Sequence, residues 1–142
     1  MGPLREVAVM RRYPAAAVVC LTLVGCATAA PNPQVVREFQ ATVPTCDNQQ
    51  RCAVKWEAAQ AWVVNHSAFN LQIATDVLIQ TYNPPLNGGN SAFDRYRVVK
   101  EPLGGGQYRI VISVWCINVF TCVPDTWQAA LDFNRYVGSI NR

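Results

Sequence analysis

The sequence holds a single histidine, His66, which leaves little scope for imidazole acid–base chemistry or histidine-ligated metal. It has no C-x-x-C pair, the spacing that depresses a thiol pKa for redox work. It has no G-x-S-x-G, the turn that presents a hydrolase nucleophile. No cluster of Lys and Arg forms the electrostatic footprint of a nucleic-acid binder. The three glycines Gly104, Gly105 and Gly106 lie between two strand patterns, whereas a phosphate cradle needs a strand followed by a helix. These absences predict a protein without cofactor, metal or nucleic-acid partner, and not an enzyme.

The N-terminus is more informative. Arg11 and Arg12 precede an apolar run from Ala15 to Val24, broken only by Thr22. A basic start, a short apolar stretch and a small residue at its end are the layout of a secretory signal. The run falls well short of the ~20 residues that span a bilayer as a helix. It ends in Leu23-Val24-Gly25-Cys26, which resembles the bacterial lipobox. That resemblance implies a lipid-modified Cys26, with residues 1–25 removed as signal peptide and acyl chains such as palmitate anchoring the protein to a membrane. Each buried CH₂ contributes about 0.8 kcal/mol, so several chains hold a protein on a bilayer stably. The alternative is an ordinary signal cut near Ala27 to Ala30. Ala27 after Cys26 implies delivery to the periplasmic face of the outer membrane if the cell is Gram-negative. Met10 offers a second possible start, giving a compact basic leader. Loss of Arg5, Arg11, Arg12 and Glu6 would lower the +3 of the full chain by two positive charges, so its basic balance belongs mainly to targeting.

Cys20 falls within the expected leader. Four cysteines then remain beside Cys26: Cys46, Cys52, Cys116 and Cys122. An even number in an exported chain reads as two disulfides. Three pairings are open. The local one, Cys46–Cys52 with Cys116–Cys122, is favoured because each pair is close in sequence and near a helix start. The longer loops of the other pairings would constrain the unfolded chain more, so energy alone does not decide. A Cys₄ zinc site is disfavoured, since zinc pairs prefer two to four intervening residues.

Residues 26–44 read as a membrane tether. The segment from Ala27 to Pro33 is small and proline-bearing, while Val35, Val36 and Phe39 are apolar enough for its second half to dock. Residues 45–142 form the expected domain. A first helix is predicted from about Asn48 to Val64, capped by Asp47 with Gln50 three residues on. Its core face would carry Cys52, Trp56, Ala59 and Val63. The stretch from Leu71 to Tyr82 is rich in strand formers. Asp76 marks a bulge or break, giving one long strand or two short ones, with Leu71, Ile73, Val77 and Ile79 on one face. The segment 83–90 is a loop by composition. A strand over 95–101 and another over 108–115 follow, joined by a turn at the three glycines. A last helix begins after Asp125, with Trp127, Ala130, Leu131, Asn134 and Val137 on one face. The order α-β-β-β-α with short connections predicts an α+β two-layer sandwich: an antiparallel meander with helices on one face.

Few residues suggest a site. His66, Ser67 and Asp76 invite a triad, but adjacent side chains do not face each other, and a helix C-terminus explains a histidine well. Asn65-His66-Ser67 fits a glycosylation pattern, short enough to arise by chance. The acidic residues Asp76, Asp94, Glu101, Asp125 and Asp132 are scattered, with no spacing that asks for a catalytic pair. The loop Ile117 to Thr121 is apolar. If Cys116 and Cys122 close it, Val119 and Phe120 become candidates for partner binding, since a preorganised loop loses little entropy on docking. The bland expectation is that they fold back on the core. The four tryptophans are core candidates. The alternative for Trp62, with Tyr82, is to line a ligand cleft near Pro84 and Pro85.

The body of the chain, from Ala53-Val54-Lys55-Trp56-Glu57-Ala58-Ala59 through Ile73-Ala74-Thr75-Asp76 and Tyr82-Asn83-Pro84 to Trp115-Cys116, resembles small uncharacterised proteobacterial lipoproteins. The resemblance implies an envelope location and assigns no functional residue. The leading expectation is a cell-envelope lipoprotein that binds a protein or cell-wall partner. A small-ligand-binding module near Tyr82 is the alternative.

Overall fold

A computed structural model describes residues 30–83, 92–118 and 120–141. The leader, Cys26, Pro84, Pro85 and Val119 lie outside the described residues. From Pro31 onward the chain forms one unit. Its elements are α1 (Pro33–Thr42), β1 (Thr45–Cys46), α2 (Gln49–His66), β2 (Leu71–Ala74), β3 (Leu78–Thr81), β4 (Arg95–Gly104), β5 (Gln107–Trp115) and α3 (Thr126–Ser139). The sheet order is β1-β5-β4-β3-β2, antiparallel throughout. Strands β2 to β5 are the expected meander, and the fold is the expected α+β class.

Local chemistry sets the helix boundaries. Asp125 begins α3, its carboxylate accepting from the backbone N–H of Trp127 and Gln128, which satisfies two donors that a first turn leaves free. The N-cap of α2 is Asn48 in place of the expected Asp47. Asn48 Oδ1 accepts from Arg51 N at 2.9 Å, while the Asp47 carboxylate pairs with the Arg51 guanidinium at 3.1 Å.

The span 26–44 expected as tether is partly folded. Asn32 caps α1 through the N–H of Gln34, with Pro33 at the start of the helix, a position where a missing N–H costs nothing. Phe39 meets Trp127 edge to face at 5.8 Å. The buried Asn134 amide donates to Phe39 O and Thr42 Oγ1, both at 3.2 Å. Glu38 pairs with Arg135 at 2.6 Å. These contacts fix α1 on α3.

Leu71 to Tyr82 splits into two strands. Thr75 makes the turn: its N–H donates to Leu78 O at 2.9 Å, and its hydroxyl accepts from Val77 N and Leu78 N. Val77 therefore sits in the turn and is exposed, not on the apolar face predicted for it. Strands β4 and β5 meet at Gly104, Gly105 and Gly106, which all have positive φ, a conformation glycine adopts without the usual Cβ clash.

The core lies between the sheet and the helices. Trp56, Ala59, Trp62 and Val63 from α2, and Ala129, Ala130, Phe133 and Val137 from α3, pack on Ile79, Tyr96, Val98, Ile110 and Ile112. Register makes the strand side continuous, since Ile79 is opposite Val98 and Val98 opposite Ile112. Trp62 meets Tyr96 and Phe133 edge to face at 5.4 and 5.3 Å, a geometry aromatic quadrupoles favour. Each such side chain stabilises the fold by about 1.5–3 kcal/mol.

Candidate functional site

Both disulfides are local. Cys46–Cys52 joins β1 to the first turn of α2, and Cys116–Cys122 closes the connection between β5 and α3, with Cα separations of 5.2 and 5.9 Å. This is the pairing that sequence proximity favours.

The second disulfide frames the most exposed apolar feature among the described residues. Inside its loop the Asn118 side chain folds back, accepting from Phe120 N at 2.8 Å and Thr121 N at 3.3 Å. This turn chemistry fixes the backbone without burying the side chains it carries. Phe120 is 88% exposed, so it does not fold back on the core. Just beyond the loop Val123 bridges to Phe93, and its N–H donates to Ala92 O at 2.7 Å. Phe93 and Val123 are also more than half exposed. Phe93 and Val123 are thus held side by side ahead of β4, and Phe120 stands on the disulfide-closed loop three residues before Val123.

Beneath them lies a polar anomaly. Asp94 and Arg95 are 2% and 0% exposed. Neither Asp94 carboxylate oxygen has a hydrogen-bond partner, and neither do Arg95 Nε, Nη1 and Nη2 or the Tyr96 hydroxyl. The Arg95 guanidinium lies 4.9 Å from the centre of the Phe69 ring, so a π-face takes the place of an anion. Burial, with Asp125 nearby, raises the Asp94 pKa to about 6, and burial, with Asp94 nearby, raises that of Tyr96 to about 12. Native structures seldom leave such groups unpaired, because desolvation is costly. Nothing in the sequence marks this cluster: Asp94-Arg95 reads as an ordinary polar start to a strand.

The other candidate residues are dispersed. Trp62 is buried in the core, stacked on His66 with ring centres 4.1 Å apart, and does not share a cleft with Tyr82. Tyr82 is exposed and lines a cavity of about 340 Å³ with Phe69, Asn70 and Gln72. His66 Nδ1 lies 2.8 Å from Trp62 O, and the Ser67 hydroxyl is engaged by the backbone of Phe69, so the two do not pair with each other. A larger groove of about 870 Å³ runs between α2 and the strand turns. Lys100 lies in it, 5.3 Å from the Trp56 ring and 5.6 Å from that of Tyr108. Sequence reasoning misses this groove, since only the fold brings residues 56, 100 and 108 together.

Among the described residues, one group offers three potential metal-ligand atoms within 4.8 Å of one another: Asp94, Cys116 and Cys122. Both sulfurs are spent on the disulfide, so the oxidised protein offers only the carboxylate. No helix among the described residues is long and apolar enough to cross a membrane. Set against known proteins, the chain matches no family model, no curated protein and no solved structure.

Proposed function

We propose that the protein is a non-enzymatic lipoprotein of the cell envelope, acylated on Cys26, that docks a partner protein through Phe120 and Val123. The observation that carries the docking reading is the near-complete exposure of Phe120 on a loop closed by a disulfide. A large apolar side chain held in water gains free energy when a partner pocket covers it. A loop closed by a disulfide has less entropy to lose on docking than an open one. Aromatic anchors of this kind dominate binding energy where they are fully desolvated. The partner that fits is a protein with an apolar pocket wide enough for a phenyl ring.

Two measurements test the reading. Intact-mass analysis of membrane-extracted protein reports leader removal, lipid addition and loss of four thiol hydrogens together; a mass without fatty acid would remove the anchor. For docking, the Phe120→Ser and Val123→Ser variants should each lose a partner that is retained by wild type and by the Tyr136→Ser control. A partner kept by all three variants would place the contact elsewhere. The ligand-binding alternative rests on the cavity beside Tyr82 and predicts that Tyr82→Ala, and not Phe120→Ser, abolishes the phenotype.

A further inference from the structure

We propose that reduction of the Cys116–Cys122 bridge creates, with Asp94, a three-ligand site for a borderline-soft divalent cation such as zinc or cadmium. The ligand atoms already stand together, within 4.8 Å of one another. Tetrahedral zinc with Zn–S near 2.3 Å and Zn–O near 2.0–2.2 Å needs its ligand atoms roughly 3.5–3.8 Å apart. Breaking the S–S bond allows the sulfurs to part to that spacing. The Cα atoms are 5.9 Å apart, so the change calls for side-chain rotation and not for moving β5 away from α3.

A second observation points to a cation independently of the sulfurs. The Asp94 carboxylate is buried and both its oxygens are without partners. A carboxylate held in this way meets a desolvation cost that a metal ion would offset. Two thiolates and one carboxylate form a donor set suited to zinc, with water in the fourth position. Cys116 and Cys122 are only half-buried, which leaves the sulfurs open to reagents.

The chemistry balances with a dithiol as reductant. It gives two electrons and two protons to the S–S bond, becomes a cyclic disulfide, and leaves two protein thiols. The cation then displaces both thiol protons to solvent as two M–S bonds form, and Asp94 binds as the carboxylate. The loop carrying Phe120 is closed by a covalent bond under oxidising conditions and by a metal under reducing ones. This inference does not depend on the docking reading, because it concerns the sulfurs and Asp94 alone.

Cadmium is the probe, read by thiolate-to-metal charge-transfer absorption. The chain reduced with excess dithiol, then freed of it, should bind one Cd²⁺ at this site. The oxidised chain should show no such band. Asp94→Asn keeps every thiol, and its affinity should fall by at least the roughly 10- to 100-fold that loss of an outer-shell partner costs. Cys116→Ala/Cys122→Ala should abolish the site, while Cys46→Ala/Cys52→Ala should retain it. Equal affinity in Asp94→Asn, or a band surviving when Cys116→Ala/Cys122→Ala is added to Cys46→Ala/Cys52→Ala, would overturn the proposal. Should the reduced chain unfold, failure of Cd²⁺ to restore its structure would overturn it equally.

Discussion

The two ends of the sheet solve opposite problems. Toward the middle of α2 and α3, Trp62, Phe133, Val98 and Ile112 are buried together, and the aromatic rings meet edge to face. Toward the start of β4, the Asp94 and Arg95 side chains are buried without hydrogen bonds, and Phe93, Phe120 and Val123 are each more than half exposed. The first end follows the ordinary rule for stability. The second inverts it, with charges inside and aromatics outside. Departures of this kind are expected where a surface does something besides hold the fold together. They also divide the effects of mutation into two groups of opposite sign.

The largest effect belongs to the conventional end. Phe133→Ala empties a fully buried site and should destabilise by about 3–5 kcal/mol, read as a lower denaturant midpoint. A loss below ~1 kcal/mol would mean that this region is loosely packed and that the contrast is false. The inverted end should respond the other way. Arg95→Met removes a buried charge that has no hydrogen-bond partner and keeps most of the volume, so it should stabilise by about 1–4 kcal/mol, less the roughly 0.5–2 kcal/mol of the Phe69 ring contact. Destabilisation would show that the guanidinium has a partner in solution.

Acid should sharpen the comparison further. The folded pKa of Asp94, about 6, lies above the ordinary 3.8, so the folded state binds its proton more tightly than the unfolded state does. Ionised Asp94 weakens the fold above pH 6, and the penalty is relieved as pH falls through 6 toward 4. Between pH 7 and pH 5 this group alone should add about 1 kcal/mol of stability. Asp94→Asn should remove that pH dependence, seen as a flatter Tm profile than that of wild type. The smallest effect is expected of Phe120→Ser, which should change stability by less than about 0.5 kcal/mol while removing the docking contact. A loss well above that would give Phe120 a role in the core.

The conventional end was legible in the sequence. Cys52, Trp56, Ala59 and Val63 on α2, and Trp127, Ala130, Leu131, Asn134 and Val137 on α3, recur at helical spacing, and all are buried except Trp127, which is half-buried. Capping chemistry placed the start of α3 at Asp125 and that of α2 one residue early. The three glycines marked the hairpin because each needs positive φ. Less was legible where tertiary contact decides. The proline-bearing start of α1 suits both a spacer and a helix, and only its contacts with α3 select the helix. The two-residue strand β1 exists through pairing with Arg109 and Tyr108 and has no local signature. The Phe120 loop was visible as an apolar stretch between cysteines. Whether it turns inward depends on Asn118, whose side chain serves the loop backbone. Asp94 and Arg95 look like surface residues, because burial of charge is the one outcome that hydrophobic patterning never suggests.

The shape of β2 has a consequence for crowded conditions. This outermost strand has only four residues, and its pairing with β3 slips between Leu71 and Ile73. A second molecule seeking to continue the sheet there would find a short, kinked run of free amide and carbonyl groups instead of a flat template. Strand addition by a second molecule is therefore disfavoured at that border.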